Sequence, residues 1–158
     1  MFHSFRRVAV LLVLCASSNL ALSADSSYSV GPTDKLTPAR TLIADKKWVA
    51  AIDELKRVND SQSADWNNLM GYSLRKAPAA DFDGAERFYN QALQVNPTHR
   101  GALEYSGELY LMKGDLAKAE QRLAALDKAC TFSCEEFRAL KSAVQRFKDN
   151  GSKYVVAP

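Results

Sequence analysis

From Leu36 onward, apolar and polar side chains alternate with the period of an α-helix, and the pattern repeats. Ala51, Ala85 and Ala119 lie 34 residues apart, twice over. Each is the centre of an apolar stripe. Trp48, Phe82 and Leu116 stand three residues before it, and Leu55, Tyr89 and Leu123 four after. Val58, Ala92 and Leu126 follow seven after. These offsets put all four side chains on one helical face, and the small central residue lets a second helix approach closely. A period of this length marks a stacked architecture, in which each unit has an apolar face that only a neighbour covers.

Each of these helices has a predecessor. Gly107 and Tyr110 stand twelve and nine residues before Ala119, in the apolar-periodic segment 103–111. Gly114-Asp115 then supplies a helix-ending glycine followed by an N-capping aspartate. In the middle unit Trp66, Met70, Gly71 and Leu74 predict the first helix, Asp81 caps the second, and Asn96-Pro97 closes the unit. In the first unit the leading helix is predicted over 37–45, with Pro38 accommodated in its first turn. A terminal helix follows the repeats. Ser133 to Glu136 reads as a capping box with Ser133 as N-cap, and Phe137, Leu140, Val144 and Phe147 form its apolar stripe. Asn150-Gly151 ends it, and residues 150–158 read as a flexible tail.

This pattern resembles the tetratricopeptide repeat (TPR). The family's motif has a large residue, Leu, Gly and Tyr on the first helix, then Ala, an aromatic and Ala on the second, then Pro. The last unit, Arg100 to about Ala129, carries Gly107, Tyr110, Gly114, Ala119 and Leu123. The middle unit carries Gly71, Leu74, Ala85, Tyr89, Ala92 and Pro97, with an inter-helix loop, Lys76 to Phe82, two residues longer than usual. The first unit departs from the motif: Ala39 replaces the glycine and no proline closes it. The resemblance covers about Leu36 to Ala129. It implies an all-α, right-handed superhelical stack of about three helix-turn-helix units over 36–130, with a capping helix over 131–149. The Arg100 to Tyr105 start and the Cys130/Cys134 end also resemble small exported bacterial TPR proteins.

In TPR proteins the first helix of each unit lines a concave groove that receives a partner peptide or helix. By position in the motif, the groove residues here are Arg40, Asn68, Tyr72, Arg75, Lys76, Glu104 and Glu108. Tyr72 with Arg75 is the best anchor pair, because an aromatic and an arginine are favoured at interfaces. Arg40, Arg75 and Lys76 are expected to meet acidic groups, and Glu104 and Glu108 basic ones. The carboxylate-clamp pattern of chaperone-binding TPR domains is absent, so recognition of an acidic chain terminus is not implied.

The N-terminus changes the picture. Arg6-Arg7 precede an apolar run from Val8 to Cys15, small and polar residues continue to Ala24, and no Asp or Glu appears before Asp25. This order predicts a signal peptide over 1–24, a flexible segment over 25–35, and export, with the periplasm as destination. The run is shorter than the roughly 20 residues a membrane span requires, and no later stretch approaches that length. Cys15 follows Leu14, which is not the small residue a lipoprotein box requires.

The full chain of 158 residues carries 21 basic and 18 acidic side chains, a net charge of +3. Both arginines of the leader leave with it, so the mature chain is close to neutral. Such a balance gives no electrostatic footing for nucleic acid. A length of 158 residues suits one domain, and a hydrophobic fraction of 47% suits a folded one.

Candidate chemistry is sparse. Cys130 and Cys134 bracket a three-residue turn, and in an oxidising compartment a disulfide is the default, pinning the terminal helix to the stack. The alternative is a redox or copper-handling pair, with the Cys134 thiol acidified by a helix N-terminus. His99 reads as a surface turn residue between units, without an accompanying nucleophile elbow, H-E-x-x-H or phosphate loop. Glu104 and Glu108, four apart, read as a solvated pair rather than as hydrolytic acids. The chain is therefore expected to be non-enzymatic, without metal or cofactor, and to bind a protein or peptide partner.

Overall fold

The computed structural model describes residues 34–155. The expected signal peptide over 1–24, the segment 25–33 and residues 156–158 lie outside the described residues. Among the described residues seven helices follow one another: α1 (Thr37–Ala44), α2 (Trp48–Val58), α3 (Ala64–Lys76), α4 (Phe82–Val95), α5 (Arg100–Met112), α6 (Leu116–Ala129) and α7 (Glu135–Asp149). They pair as α1 with α2, α3 with α4 and α5 with α6. Each pair packs on the next through α2–α3 and α4–α5, and α7 lies against both α5 and α6. This is the predicted all-α stack of three helix-turn-helix units with a terminal helix.

Local chemistry sets most of the boundaries. Asp81 Oδ1 accepts from the Gly84 N–H at 2.8 Å, and Asp115 Oδ1 from the Lys118 N–H at 3.0 Å. Gly114, at φ +80°, makes the tight turn between α5 and α6. Two 34-residue periods earlier the same turn is made by Lys46 at φ +58°, and Lys47 follows it without a side-chain cap. The first unit therefore keeps the backbone turn but lacks the glycine and aspartate that suit it.

The stripes of the second helices form much of the interior. Ala51, Ala85 and Ala119 are fully buried, together with Leu55, Tyr89, Ala92 and Leu126. On the first helices, glycine makes the closest approaches. A Cβ at Gly71 would come within 2.8 Å of the Tyr89 ring, and one at Gly107 within 2.5 Å of Leu140 on α7. The third unit thus makes room for the terminal helix with its own glycine. Leu140, Ala143, Val144 and Phe147 of α7 join Leu103, Leu111 and Leu126 in a single apolar cluster.

The start of α7 differs from the capping box. Helix begins at Glu135, Cys134 is the N-cap residue, and no side chain caps it. Cys130 and Cys134 are joined, closing the turn after α6. Within that closed turn Ser133 takes φ +40°, and its carbonyl accepts from Arg138 Nη1 at 2.8 Å. A residue in this conformation one place too early cannot aim its hydroxyl at the first turn of the helix. Phe132, at the tip, is 93% exposed.

The other end of α7 closes as predicted and then adds something. The Gly151 N–H bonds to the Lys148 carbonyl and the Ser152 N–H to the Phe147 carbonyl, the paired bonds of a Schellman stop. Gly151 and Ser152 are both left-handed, at φ +63° and +64°. Beyond them Tyr154 is half-buried against the α5–α7 cluster. Within the stretch expected to be a flexible tail, this one ring covers apolar surface.

Candidate functional site: the concave face of the first helices

The α3 and α5 helices come into contact, and side chains of the two meet between them. Arg75 of α3 donates from Nη1 to Glu108 Oε2 of α5 at 2.7 Å. Arg75 is 6% exposed, an unusual depth for a guanidinium. Its Cζ lies 5.5 Å from the ring centroids of both Tyr72 and Tyr105, within cation–π range of each. Those two rings are 4.6 Å apart, and Trp48 of α2 meets Tyr72 edge-on at 5.8 Å. Tyr89 of α4 stands behind them, fully buried.

This setting shifts several groups. Burial works against the Arg75 cation, but Tyr89 and Glu108 outweigh it and hold its pKa above the ordinary value. Burial, reinforced by Glu108 and Glu136, pushes the Glu104 carboxyl up to about 8. At neutral pH Glu104 is therefore mostly protonated, and a proton donor. Burial also raises Tyr72, and burial with Glu104 raises Tyr105 to about 12. Three buried polar atoms here have no partner within the chain: Asn68 Oδ1, Arg75 Nε and Tyr89 Oη.

Of the residues predicted to line the groove, Tyr72, Arg75, Glu104 and Glu108 are brought together. Arg75 and Glu108 were expected to meet opposite charges on a partner; they neutralise each other instead, because the register of α3 against α5 places them face to face. Asn68 is buried beside Gly101, where a Cβ would come within 3.1 Å of its Nδ2. Lys76 is exposed at the end of α3. Arg40 is already paired: its Nη2 donates to Asp65 Oδ2 at 2.7 Å and its Nε approaches Asp34 Oδ2 at 3.4 Å.

His99 corrects the surface-turn reading. Its Nδ1 accepts from the Ala102 N–H at 3.1 Å, capping α5, and its Nε2 meets Asp65 Oδ1 at 2.8 Å. Asp65 thus links Arg40 of the first unit to His99 at the start of the third. Burial tends to raise the Asp65 carboxyl, but hydrogen bonds from His99 and Arg40 outweigh it and hold it below the ordinary range. Tyr105 and Tyr154 also escaped the sequence reading. Tyr105 lies next to a motif groove position rather than on one, and Tyr154 lies beyond the last periodic residue.

Cys130 and Cys134, joined to each other, present no thiolate. Among the described residues no group of three or more His, Cys, Asp or Glu converges as a metal site requires. Among the same residues no helix is long and apolar enough to cross a membrane. The face therefore presents two half-buried aromatic rings beside a neutralised ion pair.

Comparison with known proteins agrees with the architecture. Residues 79–150 match the tetratricopeptide-repeat family. The chain is 28% identical over 127 residues to the uncharacterized protein ycf37 of Pyropia yezoensis, covering 73% of this chain and 70% of that one. Its fold is similar to that of SycD, a type III secretion chaperone of Yersinia enterocolitica solved with a peptide of the translocator YopD. The TM-score is 0.60 at 19% identity, over 73% of this chain and 88% of that one.

Proposed function

We propose that this tetratricopeptide-repeat protein is an exported binding module or assembly scaffold that holds a peptide or protein segment on the concave face of α3 and α5. One observation carries the reading. Tyr72 and Tyr105, both half-buried and 4.6 Å apart, lie against the Arg75 guanidinium where motif spacing places the groove. Aromatic rings left partly exposed beside a charged pair are the kind of anchor a protein segment packs against. SycD, which shares the fold, was solved with a peptide, and that supports the same use here. The binding is non-covalent. Export rests on the basic, apolar, small-residue order of 1–24, and an oxidising compartment would preserve the Cys130–Cys134 bond.

The test is capture from a periplasmic extract on immobilised protein, with identification of what is retained. Tyr72→Ala is expected to lose the retained partner by more than about tenfold, the weight of an aromatic hot spot, with unchanged far-UV circular dichroism. Retention that ignores this change would remove the site. Intact mass of the natively recovered protein tests export: a chain beginning at Ala24 or Asp25, two hydrogens light, is expected.

A further inference from the structure

The last unit leaves part of its stripe uncovered. Leu55 and Tyr89 are fully buried, each with a further helix pair stacked beyond it, whereas Leu123, at the same position of the third unit, is only half-buried. Only α7 follows it. Between α6 and α7 lies a groove of about 510 Å³, lined by Glu120, Leu123, Ala124, Asp127, Phe137 and Lys141. Its apolar surface comes from Leu123, Ala124 and Phe137, and its charges divide by helix, Glu120 and Asp127 on α6 and Lys141 on α7. Glu120 is already held by Lys148 at 2.6 Å. Among the described residues Asp127 and Lys141 have no ion-pair partner, and both are exposed. The turn that joins the two helices carries Phe132, 93% exposed. The Cys130–Cys134 bond closes that turn, and Arg138 holds the Ser133 carbonyl. A turn fixed in this way loses little freedom when its ring is buried against another molecule.

We propose that this end of the stack is the interface between two copies of the chain, in which Phe132 of each copy enters the α6–α7 groove of the other and Asp127 of each faces Lys141 of the other. The argument is self-complementarity. One surface carries an apolar groove, an apolar ring on the turn at its end, and two unpaired charges of opposite sign on its two helices. A two-fold axis brings each of these features against its own complement on the second copy, as an isologous contact requires. The second copy also covers Leu123, which the stack itself leaves half-buried. The groove shares no residue with the Tyr72–Arg75 face, so that face stays out of the interface.

Sedimentation velocity on the natively recovered protein, at concentrations up to about 1 mM, is expected to show a monomer–dimer equilibrium, as suits a small interface. Phe132→Glu is expected to raise the dimer Kd by more than about tenfold. Its site is exposed, so thermal melts should not change. Asp127→Lys alone and Lys141→Asp alone each set like charges face to face twice, and each is expected to remain monomeric. An equimolar mixture of these two variants is expected to restore the dimer, because each then meets the charge opposite to its own at both contacts. A monomer at every concentration overturns the proposal. So does a dimer that Phe132→Glu leaves unchanged, or one that the mixture fails to restore. A monomer whose capture of material from an extract depends on Phe132 gives the groove a different protein as occupant, and overturns the second copy likewise.

Discussion

The second helices of the three units and the first helices bury different chemistry. On α2, α4 and α6 the buried side chains are Ala51, Leu55, Ala85, Tyr89, Ala92, Ala119 and Leu126, with the Tyr89 hydroxyl as the one polar group among them. Among the described residues, the buried polar and charged positions are Asn67, Asn68, Ser73, Arg75 and Ser106, and all lie on α3 and α5. An apolar stripe stabilises the stack through burial alone. A polar side chain in the same depth of protein needs a hydrogen-bonded partner merely to break even. The difference teaches that the two helices of each unit carry different burdens: the second helices bury almost wholly apolar stripes, and the first helices of the middle and last units hold the buried polar groups.

Substitutions on the two sides test this division. The largest stability effect is expected from Leu126→Ala, in the fully buried stripe of α6, at about 3 kcal/mol by denaturant unfolding. Capture of the partner should survive it under native conditions. A loss below about 1 kcal/mol would mean that the stripe is not what holds the last unit together.

On the concave side Arg75→Ala leaves Glu108 without its cation, and a loss of about 2–3 kcal/mol is expected because Glu108 keeps some contact with solvent. The double change Arg75→Met with Glu108→Met should recover most of that stability, since apolar pairs replace buried ion pairs at little cost. Capture of the partner should stay lost. Recovery of both together would assign the pair to stability rather than recognition.

The smallest effect is a pH dependence. Burial and the neighbouring carboxylates push the folded Glu104 carboxyl from its ordinary 4.5 up to about 8, so the native state binds more protons than the unfolded state between those values. Its contribution is fully present below the unfolded pKa and is lost as pH rises through the folded one. Between about pH 5 and about pH 9 the melting temperature should fall a few degrees more in the wild type than in Glu104→Gln. Parallel curves would place Glu104 in contact with water rather than in the shielded cluster.

Much of the fold was legible because its signals are local or periodic. The alanine-centred stripes recur every 34 residues, and the caps at Asp81 and Asp115 depend only on the few residues that follow them. The seven helices were accordingly foreseeable. The candidate site was legible only in part. Motif spacing selected Tyr72, Arg75, Glu104 and Glu108, but it also selected Arg40, which Asp34 and Asp65 already hold. It passed over Tyr105, which faces the same guanidinium. Ser133 looked like a cap because its neighbours suit a capping box, yet closure of the Cys130–Cys134 turn moved the N-cap one residue on.

By itself the sequence determined which faces are apolar, where each helix turns and how many units stack, because periodicity and capping are properties of nearby residues. Tertiary structure decided the partnerships. Asp65 and His99 are 34 residues apart, and Arg75 and Glu108 are 33 apart, each pair divided between two units. Tyr154 reaches the α5–α7 cluster only because two left-handed residues follow α7. Such contacts depend on how one helix lies against the next, and no local pattern encodes that register.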